Sequence, residues 1–303
     1  MSEVSNTVTR WLRQQLDAPA IVAPMFLVSG PDLVIASCRA GLVGSFPTLN
    51  ARTPDILDEW LRQIRSATHD TPPFAANLIL HKSNERRDED LSIITAHEVP
   101  LVLASVGSPA LITERVHGYG GLVFSDVASV RHARKAVEAG ADGLILLTAG
   151  AGGNTGWLNP FAFTAEVRRF YEGPLVVAGG LMHGHELRAL EVLGADLGYM
   201  GTRFLASRES MAPEAHKEAI VRASADDVLL TDAISGLPAN FLRTRLQEAG
   251  VLNADGTVDP SAREGVFSYK NVWSAGHGVA GVDRINDVAT IAASVVREYR
   301  NAC

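Results

Sequence analysis

Short apolar runs recur along the chain with amphipathic stretches between them. The runs are AIVAPM (20–25), LVGSF (42–46), FAANLIL (74–80), PLVLAS (100–105), GLVFSDV (121–127), GLILLTA (143–149), PLVVAGG (174–180) and LGYMGTRFL (197–205). They are rich in Val, Leu and Ile and alternate little with polar residues. That pattern predicts parallel strands buried on both faces. The stretches between them, among them PDILDEWLRQIRSA, SVRHARKAVEAG, NPFAFTAEVRRFY and HELRALEVLG, carry helical spacing. Gly140 and Gly194 each stand just before the next strand, where a helix C-cap explains a glycine. Eight such alternations predict an α/β fold, a closed (β/α)8 TIM barrel. An open doubly wound sheet shows the same local alternation, but the units fill residues 20 to 210 evenly, which favours the barrel. Residues 211–283 break the rhythm with turn signals such as LNADGTVDP and SAGHGVAG. They predict a helical and loop cap inserted after strand 8. DRINDVATIAASVVREYR then supplies a closing amphipathic helix, so the barrel is expected over 1–210 and 284–303 and the cap over 211–283.

Composition narrows the class. The chain has 303 residues, 47% of them hydrophobic, enough for one large core. A net charge of −7 gives no electrostatic reason to expect nucleic acid as a partner. Cys38 and Cys303 are the only cysteines, so neither a disulfide framework nor a zinc cluster is expected. A reducing cytoplasmic setting is the simplest expectation. No run is apolar and long enough to predict a membrane span. A small-molecule substrate is the expected partner, and a homo-oligomer is compatible with the sequence.

In a barrel, chemistry gathers at the C-terminal ends of the strands. There the chain places Pro24 and Met25, Asn77, Ser105, Asp126, the loop TAGAGGNTG, Gly179-Gly180 and Gly201-Thr202. Three of these ends are glycine-rich and belong to strands six, seven and eight. Glycine lets backbone amides approach phosphate oxygens, and the helix starts beyond add a favourable dipole. Asn77, inside an apolar run, is a buried amide that needs partners, from the backbone or from a ligand. Classical catalysts are scarce. There is no GxSxG elbow and no HExxH, and Cys38 falls in a helix. A phosphate cradle with few acid–base groups points to a bound cofactor that carries the reaction.

Six motifs then occur in order: APM (23–25), FAANL (74–78), AGADGLIL (139–146), AGGNTG (151–156), VVAGGL (176–181) and YMGTRFLASRES (199–210). Together they resemble the nitronate monooxygenase family of FMN-dependent barrels, over about residues 20 to 280. The resemblance implies FMN as cofactor. It implies that Ala23, Pro24 and Met25 line the flavin ring and that Asn77 hydrogen-bonds it. Ala149, Gly150, Gly152 and Gly153 would bring the loop to the cofactor. Gly179 and Gly180, with Met200, Gly201 and Thr202, would cradle the phosphate. Asp126 and Tyr199 are further donors at neighbouring strand ends. The family is also similar to FMN enoyl-reductases and to some NAD(P)H:quinone reductases, so fold and cofactor transfer better than substrate.

The chain departs from the family at one informative place. The loop normally reads AGGH, and its histidine is the proposed base; here the position is Asn154. An amide has no useful pKa and only donates or accepts hydrogen bonds. The glutamate that precedes AGG in one branch is replaced by Gly150. His183 and His277 are the other catalytic candidates, each with a surface, capping or loop role as the alternative. Trp157 and Phe161 beside the loop are candidates for an apolar substrate wall, with helix packing as the alternative, and Ser235 in the cap is a further substrate-binding candidate. The leading expectation is an FMN-dependent oxidoreductase that oxidises a nitronate-type substrate with dioxygen. The alternative is an ene-reductase that takes its electrons from NAD(P)H and acts on an enoyl thioester or a quinone. A flavin-binding protein without turnover is the third.

Overall fold

A computed structural model describes residues 3–234, 236–253, 255–259 and 272–302. Eight parallel strands form one sheet: β1 (Ala20–Val22), β2 (Ser45–Pro47), β3 (Ala75–Ile79), β4 (Leu101–Ser105), β5 (Leu122–Val127), β6 (Gly143–Leu147), β7 (Leu175–Ala178) and β8 (Leu197–Met200). Their spatial order is β1–β8–β7–β6–β5–β4–β3–β2. A parallel bridge between Ile21 and Val43, with Val22 N donating to Val43 O at 2.8 Å, joins the two edges and closes the barrel. The open-sheet alternative is thereby excluded. The strands are shorter than the apolar runs. The eighth stops at Met200 because residues 202–205 turn into a short helix, Thr202–Leu205, whose buried Phe204 and Leu205 gave the run its strand-like look.

Strand alternation sorts the core into an inside and an outside. Ile21, Val43, Ala75, Leu101, Leu103, Phe124, Ile145, Val176 and Leu197 meet inside the barrel, and Leu12 of the helix Glu3–Gln15 joins them. That helix therefore plugs the bottom of the barrel with apolar side chains. Gly143 makes room there. A Cβ at that position would lie 2.6 Å from the Phe124 ring, so a side chain would displace a fully buried phenyl worth about 2–3 kcal/mol. The complementary residues, such as Val22, Leu144, Leu146, Val177 and Met200, pack outward against the helices. The C-terminal helix Val288–Asn301 seats between the helices Gly184–Val192 and Pro31–Arg39 and closes the outer ring.

The segment after β8 holds more than helices and loops. A hairpin of β9 (Val228–Thr231) and β10 (Ala239–Leu242) follows the helix Glu214–Arg222. The two residues Gly153–Asn154 pair antiparallel with β10, Ala239 opposite Asn154 and Asn240 opposite Gly153. The glycine loop is therefore the third strand of a small sheet, which corrects the expectation of a purely helical and loop cap. A two-residue strand rich in glycine has no apolar period to betray it in sequence. Cys38 is buried in the helix Pro31–Arg39, where burial pushes its thiol up to about 12. Cys303 and Ser235 lie outside the described residues. No helix among the described residues is long and apolar enough to cross a membrane.

Candidate active site

The apolar interior of the barrel turns polar at its last layer. One pleat above Ala75, Leu103 and Phe124 come Asn77, Ser105 and Asp126. Above Leu197 comes Tyr199. Asn77 Nδ2 donates to Leu103 O at 2.9 Å and to Ser105 Oγ at 2.6 Å. Ser105 in turn donates to Asp126 Oδ2. The chain of bonds ends there. Asp126 Oδ1 and the Tyr199 hydroxyl are both buried, and neither has a hydrogen-bond partner among the described residues. Burial pushes the Asp126 carboxyl up to about 6, and the Ser105 hydrogen bond only partly opposes it. Burial also pushes Tyr199 well above the usual phenol range, with the charge of Asp126 adding to it. An orphaned buried polar atom costs about 1–3 kcal/mol, and two at one barrel mouth mark a place built to meet a ligand.

The residue after Ser105 adds strain to the same layer. Val106 has φ 54, a left-handed conformation that a β-branched side chain adopts at a cost of order 1–3 kcal/mol. Across the mouth, Leu27 is also left-handed, with φ 62. Asn50 holds that turn. Its Oδ1 accepts from Leu27 N at 2.8 Å, and its Nδ2 donates to Met25 O at 3.0 Å and Ser29 O at 2.8 Å. Ser29 Oγ accepts from Met25 N at 2.9 Å. Ala23, Pro24 and Met25 are thus set by a clamp from the next βα unit. Gly201 sits beside them, its Cβ position 3.6 Å from both Ala23 Cβ and Met25 Sδ.

On the other side of the mouth the backbone dominates. Gly179 has φ 134, and a Cβ there would lie 2.3 Å from Thr148 Oγ1 and 2.9 Å from Ala149 O. Gly180 has φ 72 and faces open space within 4 Å of its Cβ position. The amides of Gly180 and Leu181 make no hydrogen bond among the described residues. These are the properties of a backbone anion cradle. The N-terminus of the helix Gly184–Val192 offers no equivalent. Glu186 takes the amides of Met182 and His183, and Glu298 takes that of Gly184 at 2.9 Å.

The glycine loop is tied down from above. Asn240 Nδ2 donates to Ala151 O at 2.7 Å, and Thr155 N donates to Pro238 O at 3.0 Å. His277 N donates to Gly150 O at 2.9 Å, and Gly276 N donates to Thr202 Oγ1 at 2.9 Å. Gly152 and Gly276 pass so closely that a Cβ on Gly152 would lie 2.7 Å from Gly276 N. Gly150, at φ 92, leaves space that the His277 ring fills, with Nδ1 2.7 Å from where a Cβ would stand. His277 itself is exposed at the mouth, as is Ala149.

The sequence-derived residues divide accordingly. Asn77, Asp126 and Tyr199 come together in one layer, and Ala23, Pro24, Met25 and Gly201 in another patch. Gly150, Gly152, Gly153, Asn154, Thr202 and His277 gather around the loop. Two residues stand apart. The side chain of Met200 points outward into the core beneath the helices, fully buried, because alternation turns it away from Tyr199. Its carbonyl accepts from Ala23 N at 3.0 Å. His183 caps the helix Gly184–Val192, with Nδ1 3.3 Å from Glu298 Oε2 and its ring stacked on His185 at 5.2 Å. Trp157 is 77% exposed and Phe161 62%, so neither is spent on helix packing. Ser105 stands at a strand end in the sequence reading without an assigned role, and Asn50 and Asn240 carry none there. The two asparagines carried a usable signal, an amide beside apolar residues (FPTLN, ANFL), the same one that selected Asn77.

Residues 11–264 match the family model described as nitronate monooxygenase. FabK from Thermotoga maritima superposes with a TM-score of 0.81 at 29% identity, over 97% of this chain and 96% of that one. A nitroalkane oxidase from Streptomyces ansochromogenes gives a TM-score of 0.81 at 26% identity, over 96% and 98%. Among curated proteins, (3aS,4S,5R,7aS)-5-hydroxy-7a-methyl-1-oxo-octahydro-1H-indene-4-carboxyl-CoA dehydrogenase from Mycobacterium tuberculosis is 27% identical over 77% of this chain. That match spans 65% of the dehydrogenase's own length, and the next two curated relatives are likewise spanned over 64% and 63%.

Proposed function

The chain belongs to the nitronate monooxygenase family, and from that premise we propose that it is an FMN-dependent oxidoreductase that oxidises an already ionised nitronate. The observation that carries the second half is Asn154, which pairs with β10 in the small sheet where relatives keep a base. An amide orients and polarises a bound oxyanion but does not take a proton from carbon. A nitronate needs no such step, since its proton is already gone.

The residues present fit FMN. The amides of Gly180 and Leu181, unbonded among the described residues, suit the phosphate, together with the neighbouring backbone at Gly179, Gly201 and Thr202. Asn77, Asp126 and Tyr199 offer hydrogen-bonding atoms for the polar edge of the ring. Ala23, Pro24 and Met25, clamped by Asn50, offer it an apolar surface. Ala149, Gly150, Gly152 and Gly153 hold the loop close to it. Bound flavin would supply the electron acceptor, which dioxygen restores. The chain's own share is to place the substrate. Asn154 would act from the loop as a polar group, and the exposed His277 is an imidazole held against that loop. Trp157 and Phe161, exposed beside the loop, would offer the substrate an apolar surface.

A second reading has specific support. The absence of a base at residue 154 and the similarity to a carboxyl-CoA dehydrogenase both suit a reductase that draws electrons from NAD(P)H and acts on an activated acyl thioester. Oxygen consumption separates the two. The monooxygenase reading expects uptake with preformed propyl nitronate and little with neutral nitropropane. Asn154→His should then raise the neutral nitroalkane rate at least about tenfold, since a placed base is worth roughly 10²–10⁴. No uptake with the nitronate, at any cofactor loading, overturns this reading.

A further inference from the structure

We propose that Asp126 binds the flavin ring as a neutral acid, donating its proton to the ring's acceptor edge, with Ser105 fixing its other carboxyl oxygen. The inference rests on the FMN reading and adds a protonation state to it.

The geometry comes first. Asp126 stands in the polar layer that ends the barrel interior, one pleat above Phe124. One carboxyl oxygen is committed to Ser105, which Asn77 fixes from the next strand. The other, Oδ1, is buried with no partner, and so is the Tyr199 hydroxyl that reaches the same layer from β8. The two orphans do not satisfy each other, so both are left for a third body. The layer has a strained neighbour, Val106, with φ 54.

The charge balance comes second. The side chains that share the inner layer are Asn77 from β3, Ser105 from β4, Leu147 from β6, Ala178 from β7 and Tyr199 from β8. None is cationic. Burial pushes the Asp126 carboxyl up, and the Ser105 hydrogen bond opposes it. A buried carboxylate without a cation ordinarily neutralises rather than stay charged. A flat ring laid over the layer removes the remaining solvent and drives the group further the same way. A carboxylate would instead accept from a ring N–H and would favour the ionised state, so the two modes have opposite proton balances.

Riboflavin is the probe, because it carries the ring without a titrating phosphate. Its binding to the flavin-free protein is followed by fluorescence quenching from pH about 5 to about 8. The neutral-acid mode takes up one proton, so affinity should fall about tenfold per pH unit above the free protein's Asp126 titration. Asp126→Asn keeps a donor in the same place. It should bind as tightly as the wild type at pH about 5, within roughly threefold, and should lose the pH dependence. Affinity that is flat or rises with pH in the wild type overturns the proposal while leaving the FMN reading intact. A second measurement covers weak riboflavin binding. The FMN-loaded protein at neutral pH should show the infrared carbonyl stretch of a protonated carboxyl, and Asp126→Asn should lack it. Its absence from the wild type overturns the proposal. A protein that binds neither FMN nor riboflavin at any pH sinks the flavin reading, and this inference with it.

Discussion

At the ends of β3, β4, β5 and β8 the barrel mouth is lined by side chains: Asn77, Ser105 and Asp126, bonded in series, and the unbonded Tyr199. At the ends of β6 and β7 it is lined by backbone: Gly150, Gly152, Gly179 and Gly180, three of them with positive φ. The first region is chemically specific and tolerates an isosteric exchange. The second is a matter of space: an added carbon at Gly152 or Gly179 meets backbone or a fixed hydroxyl, and one at Gly150 meets the His277 ring. The two also differ in what supports them. The side-chain region is held by the barrel itself. The backbone region is held by the hairpin and the 276–278 segment, through Asn240, Pro238, Gly276 and His277.

The comparison is easiest to break at Gly179. Gly179→Ala forces a side chain into φ 134 and places its Cβ 2.3 Å from Thr148 Oγ1. The expected loss is about 2–4 kcal/mol, or roughly 100-fold in FMN affinity. Flavin absorbance per protein after gel filtration measures it, with circular dichroism to confirm the fold. Near wild-type flavin content would show that the backbone side is less constrained than described.

Asp126→Asn probes the side-chain region with a different sign. The folded-state carboxyl titrates at about 6 against an ordinary 3.8. A raised acid pKa means that the folded state holds the proton more tightly, so stability is full below pH about 4 and is lost as pH rises through about 6. That loss is on the order of 3 kcal/mol. The Asn variant of the flavin-free protein should therefore be more stable than wild type above pH 6 and lose its advantage toward pH 4. Thermal unfolding across that range checks it; a variant less stable at pH 8 would contradict the account.

Asn240→Ala tests whether one side chain of the hairpin supports the backbone region. It removes the donor to Ala151 O and leaves that carbonyl unpaired in a buried place, at a cost of about 1–3 kcal/mol. Flavin affinity should fall in step with stability, although Asn240 belongs to the hairpin and not to a barrel strand. A stability loss with unchanged flavin affinity would separate the hairpin from the site.

The barrel was legible because its strands are buried on both faces and advertise themselves as apolar runs. Asn77 and Asp126 were legible for the same reason, as polar letters at the ends of such runs. The rest was hidden by geometry. That Met200 turns outward while Tyr199 turns inward depends on register, which a run of apolar residues does not fix. The sheet pairing of Gly153–Asn154 with β10 joins positions some 85 residues apart through backbone bonds alone, and no side-chain pattern records it. Asn50 acts on Met25 through carbonyls, so its role appears only once the turn around Leu27 is formed.

The central claim is that this mouth holds a flavin that takes electrons from a nitronate. Anaerobic rapid mixing of the FMN-loaded protein tests it most directly. Propyl nitronate should bleach the flavin absorbance within the mixing experiment, and NADH or NADPH should leave it yellow. Bleaching by a nicotinamide with none by the nitronate would contradict the account and establish the reductase reading in its place.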